Sequence, residues 1–329
     1  MTDEVINGYR LTEPFQNKNA GFCKWTFARK NGEQYFIKQF MDPIYPQDPT
    51  LSEQIRQYKI EDCQLFETEK MKICIAVNMA SDGNLVRITE LFRSGAHYYL
   101  TMPAVVKDVV KLEDLSGYNF DDRVFLCRSV AHSIACLHKK KFVHTDIKPS
   151  NVIIKKTLNG KITGKIIDFD SGFFEFAPPK RADELEGDLT YLAPESCLFM
   201  NDMDADLSCK LDVFSLGILF HLYLAGYLPE FDHEKFESIF ETVLEGEAIV
   251  ISDKIPEKLA DMVRRMLICE PENRISSQEV YEILDAYLTG SPGDEGKGPK
   301  ATEKSKGARP NTDGSYFKKC GDLRLKEVL

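Results

Sequence analysis

The chain has no C-x-x-C pair, no excess of basic charge and no unbroken apolar run of membrane length, and each absence removes a class of protein. Nine cysteines are scattered singly, at 23, 63, 74, 127, 136, 197, 209, 269 and 320, mostly within apolar or helical patterns. They read as reduced, mostly buried thiols of a cytoplasmic protein, not as a disulfide framework. The net charge is −10, and residues 289–329 carry nine Lys/Arg against six Asp/Glu, so the remainder sits near −13. An acidic body argues against nucleic acid as the main partner. The longest greasy stretch, 211–228, is interrupted by Asp212, Ser215, Gly217 and His221, which marks a buried helix and not a membrane span. Met1-Thr2-Asp3-Glu4 offers neither the basic nor the apolar region of a signal peptide. A cytoplasmic location with no membrane partner is the expectation.

With 329 residues the chain is long enough for one large two-lobed domain or two ordinary ones. Residues 9 to about 102 are strand-rich: strands are predicted at 9–15, 24–27, 34–40, 85–91 and 97–102, with an Asn31-Gly32 hairpin turn and one helix over about 51–77. From about 121 the pattern turns helical. Val124, Cys127, Val130, Ala131, Ile134, Ala135 and Leu137 form one apolar face. A short hairpin is predicted at 152–169, then helices at 213–225, 233–244, 258–267 and 278–288, with the lobe boundary near 103–112. The domain is expected to span 9–288, with lobes of about 9–102 and 106–288. Residues 289–314, rich in Gly, Pro, Ser, Lys and Glu, read as a disordered linker. Residues 315–329 read as a short segment that could dock a partner.

The densest chemical signal is His144-Thr145-Asp146-Ile147-Lys148-Pro149-Ser150-Asn151, followed by Asp168-Phe169-Asp170 and Ala193-Pro194-Glu195. A carboxylate, a cation and an amide share one tight loop, and a second carboxylate ends a strand. A nucleotide phosphate with Mg²⁺ needs such a set: a base, a lysine for the transferring phosphate and two oxygen ligands for metal. Any one of these is an ordinary loop residue in isolation; the spacing is what carries the signal. Lys38 closes the apolar alternation Tyr35-Phe36-Ile37, and a lysine leaving a buried strand wants an anion.

These motifs resemble the eukaryotic-type (Hanks-type) protein kinases, and the lysine two residues after Asp146 is similar to the serine/threonine branch. The resemblance covers roughly 9–288 and implies an α+β, two-lobed fold: a small antiparallel sheet with one helix, over a larger helical lobe. It implies ATP and Mg²⁺ as cofactors and a protein hydroxyl as acceptor. Asp146 would be the base, Lys148 would neutralise the phosphoryl group, Asn151 and Asp168 would hold the metal, and Lys38 would meet the phosphates. The family holds that lysine with a helix glutamate; Glu67 is the choice, with Glu69 and Glu61 behind it. The phosphate-covering loop would fall on Ala20, Gly21 and Phe22, and the adenine linker on Met102, Pro103 and Val105. Pro103 keeps the carbonyl such a linker needs and lacks only the N–H. Glu195 and Arg274 resemble the family's buried ion pair, Asp212 the aspartate beneath the catalytic loop, and His144 a packing residue.

Departures accompany the match. Of the glycine-rich loop only Gly21 survives, one position off; its loss of glycines weakens close backbone approach to phosphate. Cys23, beside it, reads as a filler before it reads as a reactive thiol. Thr145 replaces an arginine that would bind a phosphorylated loop. Asp188 replaces a threonine near the acceptor. Asp170 replaces a glycine; a positive φ is expected there, and a second-metal contact for its carboxylate. The other reading of the same residues is a pseudokinase, a nucleotide-binding scaffold without turnover.

Overall fold

The computed structural model describes residues 4–18, 21, 23–80 and 84–290. The segments 291–314 and 315–329, assigned above to a linker and a docking peptide, lie outside the described residues, as do Ala20 and Phe22.

Six strands form one antiparallel sheet: β1 (Val5–Ile6), β2 (Tyr9–Leu11), β3 (Cys23–Lys30), β4 (Glu33–Phe40), β5 (Glu90–Ser94) and β6 (His97–Pro103), in the order β1-β2-β3-β4-β6-β5. Asn31 and Gly32 both take positive φ (54° and 85°), the geometry a two-residue hairpin loop demands, and Lys30 pairs with Glu33 across it. One face buries Ile6, Tyr9, Leu11, Ala28, Ile37 and Tyr99 in a small core of its own. Between β4 and β5 runs the long helix α1 (Glu53–Ala80). Its inward stripe is Cys63, Phe66, Lys70, Cys74 and Val77, at spacings of three and four.

The predicted strand at 85–91 is displaced. Only Leu85 bridges to Ile166, and β5 begins at Glu90. The reason is backbone competition: Val86 N–H donates to Ile166 O (3.0 Å) and Ile88 N–H to the Asn78 side chain (2.9 Å), so neither joins the sheet.

The second lobe is helical. It starts with the short strand β7 (Val109–Val110) and helix α2 (Phe120–His138), capped by the Asn119 side chain on Asp122 N–H at 2.8 Å. The strands β8 (Phe142–Val143), β9 (Val152–Lys156), β10 (Ile162–Ile166) and β11 (Phe173–Phe174) follow. The hairpin of β9 and β10 lies flat on α2 because Gly164 has no side chain: a Cβ there would sit 2.4 Å from Val130. Ser129 Oγ accepts the Gly164 N–H at 2.9 Å and fixes the register. Then come α3 (Pro194–Met200), α4 (Lys210–Ala225), α5 (Ile239–Leu244), α6 (Glu257–Met266) and α7 (Ser277–Thr289). Helix α4 is buried almost all round, as its apolar run with scattered polar residues predicts. The helix predicted at 233–244 is halved. Ser238 and Glu241 form a capping box, which starts α5 at Ile239 and leaves 233–238 in turns.

Candidate active site

The hairpin places two separated motifs side by side. Val152 pairs with Ile166, so Asn151, just before β9, and Asp168, just after β10, leave the same end of the ladder. Ile167 N–H donates to Asn151 O at 3.0 Å and extends that pairing by one step. On the catalytic loop, Asn151 Nδ2 donates to both the Asp146 carbonyl and Asp146 Oδ2, each at 2.8 Å. The amide oxygen of Asn151 is thereby turned away from Asp146. Lys148 Nζ stands 3.0 Å from Asp146 Oδ1 and 3.7 Å from Asp188 Oδ2.

The loop is anchored from below by Asp212 at the start of α4. Its carboxylate accepts the His144 N–H at 2.7 Å, the Thr145 N–H at 2.8 Å and His138 Nε2–H at 2.9 Å, with no exposed surface. Thr145 sits at φ 69°, a strained position for a β-branched residue. Its hydroxyl hydrogen-bonds to the carbonyls of His144 (2.6 Å) and Ser171 (3.1 Å), tying the loop to the segment after Asp168. His144 is fully buried, with Nε2 donating to Ile167 O at 3.0 Å and its ring edge-on to Phe169. That is packing, not chemistry. The positive φ expected at Asp170 falls instead on Asp168, at 62°. Aspartate tolerates this region better than most residues.

Lys38 is on β4, between Trp25 on β3 and Leu100 on β6, and its ammonium meets Asp168 Oδ1 at 2.9 Å and Asp170 Oδ2 at 2.5 Å. Burial opposes the charge of Lys38, but the Asp170 and Asp168 carboxylates outweigh it and hold the proton above the ordinary lysine range. Burial likewise opposes ionisation of Asp170, and Lys38 and Lys70 reverse this, lowering its pKa.

Glu67 is a correction. It is exposed and lies against the Tyr98 hydroxyl, one residue and about 100° round the helix from the inward Phe66. Glu69 pairs with Lys72 (2.9 Å) and Glu61 accepts from Gln57 (2.9 Å), both along the outer face. The helix residue that reaches the site is Lys70, whose Nζ donates to Asp170 O at 2.9 Å and stands 3.7 Å from Asp170 Oδ1. Sequence reasoning passed over Lys70; the stripe of Cys63, Phe66, Cys74 and Val77 points to it. The second-metal idea for Asp170 fails for the same reason, since its carboxylate is taken by two lysines.

The hairpin tip between β2 and β3 is closed by reciprocal backbone bonds between Gln16 and Trp25 (2.9 and 2.8 Å), and Gly21 takes φ 52° there. Cys23 is the filler: burial pushes its thiol up to about 11, away from a reactive thiolate. Met102 is buried on β6 opposite Phe36, Pro103 is exposed at the strand end, and Val105 packs partly buried against the core. A concavity of about 510 Å³ between α1 and β5 shares no residue with this set.

The start of the segment between Asp168 and Glu195 is held to the helical lobe by its own residues. β11 pairs with β8, and Glu175 joins Lys141 (2.9 Å) and the Cys209 N–H (2.9 Å). Burial alone would raise the Glu175 pKa, yet the Cys209 donor and Lys141 bring it down to about 2, from 4.5. A depressed carboxyl stabilises the fold above its unfolded pKa and loses that contribution as pH falls through the folded value. Glu175→Gln is therefore expected to destabilise by about 1–2 kcal/mol at pH 7 after allowance for solvent screening. The gap should narrow from about pH 4.5 downward and close near pH 2. Thermal melts of both proteins across that range check it; a gap independent of pH would sink the assignment.

A small antiparallel sheet with one helix, over a helical lobe, with a strand lysine and loop aspartates meeting where they join, is the two-lobed protein kinase fold. The protein kinase domain family model matches residues 54–284, more than half of the chain. The chain belongs to this family, as a divergent member of the Hanks type. It is 24% identical over 221 residues to serine/threonine-protein kinase DCLK3 of Mus musculus, covering 63% of this chain and 26% of that protein. It is 26% identical over 219 residues to calcium-dependent protein kinase 7 of Oryza sativa subsp. japonica (65% and 39%), and 26% identical over 212 residues to calcium-dependent protein kinase 4 of Plasmodium falciparum (63% and 38%). The chain thus spans well under half the length of these relatives.

Proposed function

We propose that the protein is an active serine/threonine protein kinase, with its catalytic domain over residues 9–288, which transfers the γ-phosphoryl group of ATP to a protein hydroxyl. The observation that carries this reading is that Asp146–Lys148–Asn151 and Lys38–Asp168, from three separate stretches of chain, are set side by side by the β9–β10 hairpin. Mg·ATP fits this donor set: Asp168 keeps a side chain 40% exposed beside a lysine, and Asn151 has its amide nitrogen committed to Asp146, leaving the oxygen for metal. A pair of oxygen ligands, Asn151 and Asp168, suits a cation that keeps waters and phosphate oxygens as its other ligands.

Asn151 and Asp168 would hold Mg²⁺, Lys38 the phosphates, and Met102, Pro103 and Val105 the adenine, with Gly21 and its neighbours Ala20 and Phe22 over the phosphates. When bound, Mg·ATP supplies the phosphoryl group. Asp146 orients the acceptor hydroxyl and takes its proton on the carboxylate. Lys148 offers positive charge at the point of transfer. Catalysis here is positioning and charge neutralisation.

A pseudokinase is the second reading, favoured by the loop that keeps only Gly21. The discriminating experiment is transfer of labelled γ-phosphate from Mg·ATP to the protein and to a generic protein substrate, beside an Asp146→Ala control. Label lost in the control supports the kinase; ATP binding with no label in either supports the scaffold.

Because Thr145 stands in place of an arginine and Glu175 already pins the segment, loop phosphorylation is not expected to be the switch. Phosphatase treatment should leave activity nearly unchanged; a large loss refutes this. No helix among the described residues is long and apolar enough to cross a membrane. The eight described cysteines are all free, which supports the proposal of a cytoplasmic place for the enzyme. Protein substrates follow from the family, and the 315–329 segment remains a proposed docking peptide.

A further inference from the structure

In this chain, no carboxylate of helix α1 reaches Lys38. The helix sends in a cation, Lys70, whose side chain is 17% exposed and whose ammonium also lies 5.4 Å from the centre of the Phe40 ring. Two lysines therefore converge on one partly desolvated site, Lys38 from the sheet and Lys70 from the helix. Like charges so placed repel, and that repulsion grows as water is excluded. Asp170 stands between them, at 2.5 Å from Lys38 and 3.7 Å from Lys70, and its carbonyl takes a further bond from Lys70. With Asp168 on the other side of Lys38, the four groups sum to zero formal charge.

Asp170 in place of a glycine and Lys70 in place of a helix carboxylate are then one exchange. The carboxylate that would come from the helix has moved to the position after Phe169, and the helix carries the complementary cation. We propose that Asp170 is the positioning residue for Lys38, and that the Lys70–Asp170 contact fastens helix α1 to the nucleotide site with reversed polarity. The proposal rests on the reading above that Lys38 meets the nucleotide phosphates.

The arrangement has a mechanical consequence. Asp170 is two residues from Asp168 on one short segment, so the helix, the sheet lysine and the proposed metal carboxylate share one anchor. Lys38 is held by Asp170 as well as by Asp168, so it would stay aimed if it left Asp168 for a phosphate, and Asp168 would then be free to hold metal.

The test is a charge-exchange cycle on the full chain: Asp170→Asn, Lys70→Glu and the double variant. Mg·ATP affinity is read by calorimetry and the thermal midpoint is read without nucleotide. Asp170→Asn leaves two ammonium groups facing each other, and affinity should fall by at least roughly tenfold, the size of one lost buried charge contact. Lys70→Glu adds a carboxylate beside Asp170 and should lower the midpoint. The double variant returns a carboxylate to the helix and a neutral group to the segment, and should recover affinity to within about threefold of the wild type. Wild-type affinity in Asp170→Asn, or a double variant no better than Asp170→Asn, overturns the proposal. If the wild type binds no Mg·ATP, the nucleotide reading fails on its own, and the midpoints decide the exchange: non-additive effects at 70 and 170 support it, additive ones overturn it.

Discussion

Asp146→Ala is expected to lower phosphoryl transfer by about 10²–10⁴-fold while Mg·ATP affinity changes by less than roughly threefold. The size follows from the role proposed for it, a positioned carboxylate that orients the hydroxyl and takes its proton. The selectivity follows from geometry. Asp146 contacts Asn151 and Lys148, whereas Lys38 and Asp168 are paired with each other and do not depend on it. Losing the carboxylate frees Lys148, which retains Asp188 as a weaker partner at 3.7 Å. Asp146→Asn preserves the volume and both Asn151 contacts in part, and should be as inactive as the alanine variant. Single-turnover rates and calorimetric affinities separate the two effects. Equal losses of binding and transfer would show that Asp146 holds the loop together and would remove it from the chemistry.

The second large effect concerns stability. Arg274→Met is expected to cost about 3–5 kcal/mol, a drop in the thermal midpoint on the order of 10 °C for a domain of this size. Arg274 is 1% exposed and bidentate on Glu195, at 2.6 and 3.0 Å, and its remaining N–H groups go to the carbonyls of Ile268, Lys210 and Cys269. Lys210 in turn donates to the Arg274 carbonyl. Removing the guanidinium strands a Glu195 that is itself 4% exposed, and it unfastens α3 from the turn before α7. The penalty is mostly the orphaned charge and not the attraction that was lost. Pairing Arg274→Met with Glu195→Leu should therefore recover a good part of the midpoint. Differential scanning calorimetry of the wild type and the two variants tests this; a double variant as unstable as the single one contradicts it.

The catalytic loop was legible because its residues are neighbours. Asp146, Lys148 and Asn151 lie within six positions, and one tight loop cannot separate them. Asp168 came from a second local motif, and the hairpin pairing of Val152 with Ile166 then brings it beside Asn151. Lys38 was readable from strand alternation. The failures have a common form. The strand at 85–91 was displaced because Val86 and Ile88 N–H donate to Ile166 O and the Asn78 side chain, and the helix at 233–244 was shortened by a capping box that starts later. In both, groups distant in sequence or competing locally took the backbone partners that periodicity had assigned.

The two-lobed class and the pair Glu195–Arg274 came from the resemblance to a known family; spacing and local alternation by themselves determined the loop with its carboxylate, cation and amide, and the strand lysine. Those features depend on residue type and short separations, which a sequence displays directly. Only the tertiary structure decided what holds Lys38. That question turns on the rotation of α1 against the sheet, and charged residues blur the stripe that would reveal it. Each residue turns the helix by about 100°, so a choice of Glu67 in place of the inward row of Phe66 and Lys70 reverses the sign of the charge brought to the site. The packing of Cys63, Phe66, Cys74 and Val77 sets that angle, and with it the pairing of Asp170 with two lysines.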